Sequence, residues 1–111
     1  MINFDILRSY LDNDDDIVEA VLMAYVEEHS ESIDKLQLQF STQNWSELFM
    51  TAHSLKGILA SFGEDTAVDV LERIEGQTRD SIAPDDSDVA VVVTELGKIN
   101  KQVDDFLASL G

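Results

Sequence analysis

Apolar residues recur at spacings of three and four along almost the whole chain, and that period admits little besides packed helices. Val18, Leu22, Tyr25, His29, Ile33, Leu36 and Phe40 form one stripe, and Leu48, Ala52, Leu55, Leu59 and Phe62 form another. A third comprises Val89, Val92, Leu96, Ile99, Val103, Phe106 and Leu110. Strand-like alternation is absent, and the β-branched run Val91-Val92-Val93 sits inside helical periodicity. Only one proline, Pro84, interrupts the pattern.

The period and its end signals predict a short helix near Phe4–Leu11 and a long one from about Asp14 to Phe40. Asp14, Asp15 and Asp16 suit the positive end of the second helix dipole. A third helix starts at Asn44, an N-cap with Glu47 placed as in a capping box, and closes at Gly63. A fourth spans about Asp65 to Arg79 and buries Ala67, Leu71 and Ile74. After a loop from Ser81 to Ser87, a last helix runs to Leu110. The expected fold is all-α: an antiparallel four-helix bundle with a short additional N-terminal helix, residues 1–111 forming a single domain.

Composition narrows the function. A length of 111 residues supports one modest core. The absence of cysteine excludes disulfide scaffolds, thiol nucleophiles and Cys-ligated zinc. No apolar run reaches secretory or transmembrane length, so a cytoplasmic protein is expected. A net charge of −16, from 23 acids against 7 bases, repels nucleic acid and anionic membrane, and neither is expected as a partner. The charge is unevenly spread: between Ser41 and Gly63 the only acid is Glu47 and the only base is Lys56. Such an island is where this protein can tolerate an added anion.

Inside the island lies Ala52-His53-Ser54-Leu55-Lys56-Gly57. On the wheel set by the stripe from Leu48 to Phe62, His53 stands roughly 140° from the stripe centre, in solvent. Phe49, Met50, Gly57 and Ala60 share its face, with Lys56 at one flank. An exposed Phe and Met beside an exposed His read as a partner-binding patch, completed by the small residue Ala60. Glycine within a helix costs about 0.8–1.0 kcal/mol against alanine, so Gly57 reads as steric clearance one turn beyond His53, with close helix packing as the alternative. Lys56, three residues after His53, is within reach to give charge-assisted hydrogen bonds to a phosphorylated imidazole.

His53-Ser54-Leu55-Lys56-Gly57 with the downstream Gly63 resembles the signature of histidine-containing phosphotransfer domains, His-x-Leu-Lys-Gly followed by a glycine. The resemblance extends through Tyr25, Glu28, Leu36, Leu48 and the region from Leu71-Glu72 to Glu75. One departure is Ile58-Leu59, where the family often has small residues: Leu59 falls in the core stripe, and Ile58 bears on partner preference. The resemblance implies that His53 is the phosphoacceptor, Lys56 the phosphate-stabilising base and Gly57 the clearance position. It implies receiver domains of hybrid sensor kinases and of response regulators as partners, and no cofactor of the chain's own, magnesium coming with the receiver. A stand-alone, monomeric phosphocarrier without ATP-dependent autophosphorylation is the resulting expectation.

Other constellations fail. Asp12, Asp14 and Asp16 imitate the start of a calcium loop, but Ile17 and Met23 occupy the positions that need glycine and glutamate. There is no Glu-x-x-His pair for a di-iron bundle and no Gly-x-Ser-x-Gly, so no metal is expected. His29, on an apolar stripe, is expected to be buried and hydrogen-bonded. The competing function is a non-catalytic acidic docking module that binds and inhibits a kinase or receiver, for which Phe49 and Met50 serve equally well.

Overall fold

The computed structural model describes residues 1–110, Leu110 by its backbone alone, so the expected burial of Leu110 and the placement of Gly111 lie outside it. The described residues form six helices: α1 (Phe4–Tyr10), α2 (Asp15–His29), α3 (Ser32–Ser41), α4 (Trp45–Ser61), α5 (Thr66–Arg79) and α6 (Asp86–Leu110). They are all-helical, as the periodicity requires. Helix α4 lies between α3 and α5, and α6 closes the ring against α5, α2 and α3, so that α2 and α3 together make one wall of a four-walled bundle. The short α1 rests on α2. His53 meets Glu75 across α4 and α5 and Arg73 meets Asp88 across α5 and α6, contacts that the short connections 62–65 and 80–85 permit only if these neighbours are antiparallel. At ~38 Å, α6 spans the long dimension of the 41 × 22 × 19 Å molecule.

The long second helix expected from Asp14 to Phe40 is in fact two. Ser30 remains helical and bonds to the Val26 carbonyl, but Glu31, at φ −101° and ψ 8°, leaves the helical region before α3 starts. The serines flanking Glu31 offer the backbone alternative hydrogen bonds, which weakens the helix locally. One non-helical residue does not shift the apolar phase, so Leu22, Tyr25 and Leu36 still share the core and the periodicity runs through the break.

The stripes read from sequence are the core: Val18, Leu22, Leu48, Ala52, Leu55, Leu59, Phe62, Leu71, Ile74, Val92, Leu96, Ile99 and Val103 are all fully buried. Phe106 is only half-buried, stacked on Phe4 at 4.9 Å. Tyr25 packs edge-on against Phe62 and gives its hydroxyl hydrogen to Asn100 at 2.7 Å; burial pushes its pKa to about 12. Asn44 caps α4 by accepting from the Glu47 amide at 3.3 Å. Asp65, expected to open α5, makes no such bond. The cap is Glu64, fully buried, whose oxygens accept from the amides of Thr66, Ala67 and Val68 at 3.1, 2.7 and 3.3 Å. Its negative charge suits the dipole end it occupies.

The turn from α4 into α5 fixes how these helices slide against each other. Gly63 adopts φ +69°, its amide bonds to the Ala60 carbonyl, and the Glu64 amide bonds to that of Leu59, a Schellman closure. The N-terminal segment crosses this turn, Asn3 donating to the Phe62 carbonyl at 3.0 Å, and a Cβ on Gly63 would stand 3.0 Å from the Ile6 Cβ. Both conformation and space therefore demand glycine. Helix α3 ends by the same hydrogen-bond pattern with Gln43 at φ 57°, where a side chain fits but strains the backbone. Gly63→Ala is expected to lose about 1–3 kcal/mol in urea unfolding, and Gln43→Gly to gain up to about 1 kcal/mol.

Candidate functional site

His53 lies mid-way along α4 and faces solvent, its side chain 65% exposed. What holds it comes from the next helix. Glu75, on the buried face of α5 and with a side chain only 5% exposed, places Oε1 at 2.9 Å from His53 Nδ1 and Oε2 at 2.6 Å from Lys56 Nζ. Lys56, one turn after His53, is thus brought to the same carboxylate. Arg79, one turn after Glu75 on α5, adds a guanidinium nitrogen 3.6 Å from Oε1. Among the described residues His53 Nε2 has no hydrogen-bond partner.

The carboxylate is ionised for a definite reason. Burial alone raises its pKa, but hydrogen bonds and charges from Lys56 and His53 outweigh burial and hold it below the usual carboxylate range. An ionised carboxylate only accepts hydrogen bonds, so the Nδ1 that faces it carries the proton. The lone pair of the neutral ring is then on Nε2, on the solvent side.

Around this centre, Gly57 is exposed and a Cβ built on it meets nothing within 4 Å among the described residues, so no packing between them accounts for the glycine. Ala60 and Met50 are exposed, Met50 to 68%. Phe49 departs from expectation. It is half-buried, because four residues before His53 it lies directly beside that ring, stacked at 6.0 Å and 16°, with the Arg79 guanidinium 5.8 Å from its centroid. The charge-poor island is also not free of carboxylate in three dimensions: Glu75 sits at its centre. Ile58 is half-buried against the core and Leu59 fully buried.

Sequence reasoning left Glu75 and Arg79 out of the site. A signal existed: continuing the α5 stripe from Ala67, Leu71 and Ile74 to Thr78 places Glu75 inward, and a carboxylate on an apolar stripe needs partners. His29 is half-buried, with Nδ1 3.3 Å from the Ser32 hydroxyl and its ring against Tyr25. Burial lowers its pKa, Glu28 opposing the effect and Lys35 adding to it. Among the described residues no three His, Asp or Glu side chains converge on a metal-sized site, and no helix is long and apolar enough to cross a membrane.

The family model of the Hpt domain matches residues 20–109. The chain belongs to the Hpt family, the phosphocarrier modules that pass phosphoryl groups in two-component and phosphorelay signalling and that interact there with receiver domains. No curated protein and no solved structure gives a significant match to it.

The Glu75 arrangement makes stability depend on pH in a set direction. Its folded pKa lies below the unfolded one, so its stabilisation is complete above the ordinary carboxylate range and is lost as pH falls through the lowered folded value. Glu75→Gln is expected to be less stable than wild type at about pH 7, with the deficit shrinking towards about pH 3. Urea unfolding at the two pH values checks this, and a deficit independent of pH would contradict it.

Proposed function

We propose that His53 is the phosphoacceptor of a relay: it takes a phosphoryl group from a receiver aspartate of a hybrid kinase and passes it to an aspartate of a response regulator. The observation that carries this reading is the ring itself, turned to solvent with Nδ1 anchored on a buried carboxylate and Nε2 free. The Nε2 lone pair attacks phosphorus, the bond to the aspartyl oxygen breaks, and the aspartate leaves as carboxylate. The ring gains positive charge as the bond forms, and Glu75, accepting from Nδ1–H, stabilises that charge. In the second transfer the same steps run backwards and the ring departs neutral, still bonded to Glu75.

Lys56 supplies a positive charge beside the phosphoryl oxygens, and exposed Gly57 leaves room for the visiting receiver to approach one turn away. Met50 and Ala60 extend the contact surface, with Phe49 acting mainly as a platform beside the ring. Magnesium, which phosphoryl transfer ordinarily uses, comes with the receiver. The chain itself presents no glycine-rich loop for nucleotide phosphates, so ATP is not the donor in this reading.

Incubation with a phosphorylated receiver domain is expected to place acid-labile, base-stable phosphate on the wild type and none on His53→Gln. Equal labelling of the two would refute the assignment, and receiver binding that survives His53→Ala without any phosphate uptake by wild type would favour a docking module instead. Gly57→Ala is expected to gain about 0.8–1.0 kcal/mol of stability, since the added methyl group meets nothing, yet to slow transfer. Stopped-flow or quenched-flow transfer kinetics decide it, and an unchanged rate would remove the clearance role.

A further inference from the structure

We propose that the cleft between Phe4 and the C-terminal half of α6 is a binding site for a small amphiphilic anion, its apolar body on the paired phenylalanine rings and its carboxylate between Lys98 and Lys101. The cleft measures about 510 Å³, within the range of small-molecule sites, and runs for about 12 Å along α6 from Lys98 to Phe106. Its lining is mainly apolar: the rings of Phe4 and Phe106, stacked at 4.9 Å, and the aliphatic stems of the lysines. No residue of α4 or α5 lines it, so the site is separate from His53 and does not depend on the phosphocarrier reading. It is also pre-formed. Gln102, in its wall, accepts from the Ile2 amide at 2.7 Å and donates to the Ile2 carbonyl at 3.0 Å, which pins the N-terminal segment against α6.

Charge selects the occupant. Arg8, Lys98 and Lys101, three of the 7 bases on a chain of net charge −16, stand around this one cleft. Between Asp88 and Asp104, α6 carries a single acid, Glu95. The Arg8 guanidinium lies 6.0 and 5.9 Å from the ring centroids of Phe4 and Phe106 and pairs with Asp15 at 3.4 Å. Lys98 and Lys101, neighbours on one face of α6, have side chains 54% and 78% exposed. Their partners are Glu95 at 3.4 Å and Asp105 at 3.1 Å, within the same helix. Ion pairs of exposed lysines are worth little, so an incoming carboxylate can engage both ammonium groups at small cost. Asp105, the acid in the lining, is exposed and returns to water when Lys101 takes a new partner. An acidic protein face would meet Asp5, Asp104 and Asp105 along with the lysines, whereas a small ligand with one anionic head reaches the lysines alone. A neutral head would leave the lysines unused, and a cationic head would face them directly.

Titration of the 15N-labelled chain with octanoate, kept below micelle-forming concentration, tests this by NMR, with 1-octanol and octyltrimethylammonium as the neutral and cationic counterparts. Octanoate is expected to shift the amide signals of residues 2–8 and 98–106 saturably, and to bind about three- to tenfold more tightly than octanol. Lys98→Gln combined with Lys101→Gln, both at exposed positions, is expected to remove that difference and leave octanol binding unchanged. Equal binding of all three compounds, or an octanoate affinity unchanged in the double variant, would overturn the anion site. So would the absence of saturable shifts at these residues, or shifts spread equally over exposed apolar residues elsewhere, such as Leu38 and Met50. Concentration-dependent shifts of the same residues without any added compound would show a second copy seated in the cleft, and would overturn it as well.

Discussion

A single carboxylate organises the working face of this protein. Glu75 is taken out of water between α4 and α5, and an ionised group there is tolerated only because Lys56 and His53 meet it within hydrogen-bond distance. The dependence runs both ways. The pairing that keeps Glu75 charged also fixes the His53 tautomer, draws Lys56 to the ring and holds Arg79 nearby. Removing the carboxylate would leave the histidine exposed but unaimed. Breaking its partners would leave a buried charge uncompensated, which costs far more than loss of a surface ion pair.

For Glu75 to lie under His53, α4 and α5 must be in one register, and the turn between them sets it. Gly63 closes α4 in the left-handed conformation, and buried Glu64 opens α5 by capping its first amides. Asn3 and Ile6 press on the same turn from outside, while Ile2 exchanges two hydrogen bonds with the Gln102 amide on α6. The glycine downstream of the histidine therefore acts at the hinge of the α4–α5 pair and not at the His53 ring. Two buried glutamates divide the labour: one sets the register and the other uses it.

Net charge gives the site its electrostatic setting. Most of the surface is acidic, and a doubly charged phosphoryl group placed at random on it would be repelled. At His53 the exposed neighbours are neutral, Gly57, Ala60 and Met50, and the nearby cations are those that Glu75 gathers. The screening length in physiological salt is about 8 Å, so these adjacent charges outweigh the distant acids in setting the potential at the His53 ring.

The helices and the outward face of His53 were legible in the sequence because a helix turns about 100° per residue: an apolar stripe from Leu48 to Phe62 leaves no other place for that ring. Gly63 at the end of α4 was legible for the same local reason, a helix terminus that needs positive φ. The break at Glu31 was not, since periodicity records the side-chain phase and a one-residue backbone excursion leaves that phase intact. Nor was the meeting of Glu75 and Arg79 with His53, residues 22 positions and more away along the chain. Charge counted along a sequence cannot see a carboxylate delivered by another helix. What the sequence determined by itself was which side chains face in and which face out. Only the tertiary structure, through the register of α4 on α5, decided which of the inward charges came to lie beneath the histidine.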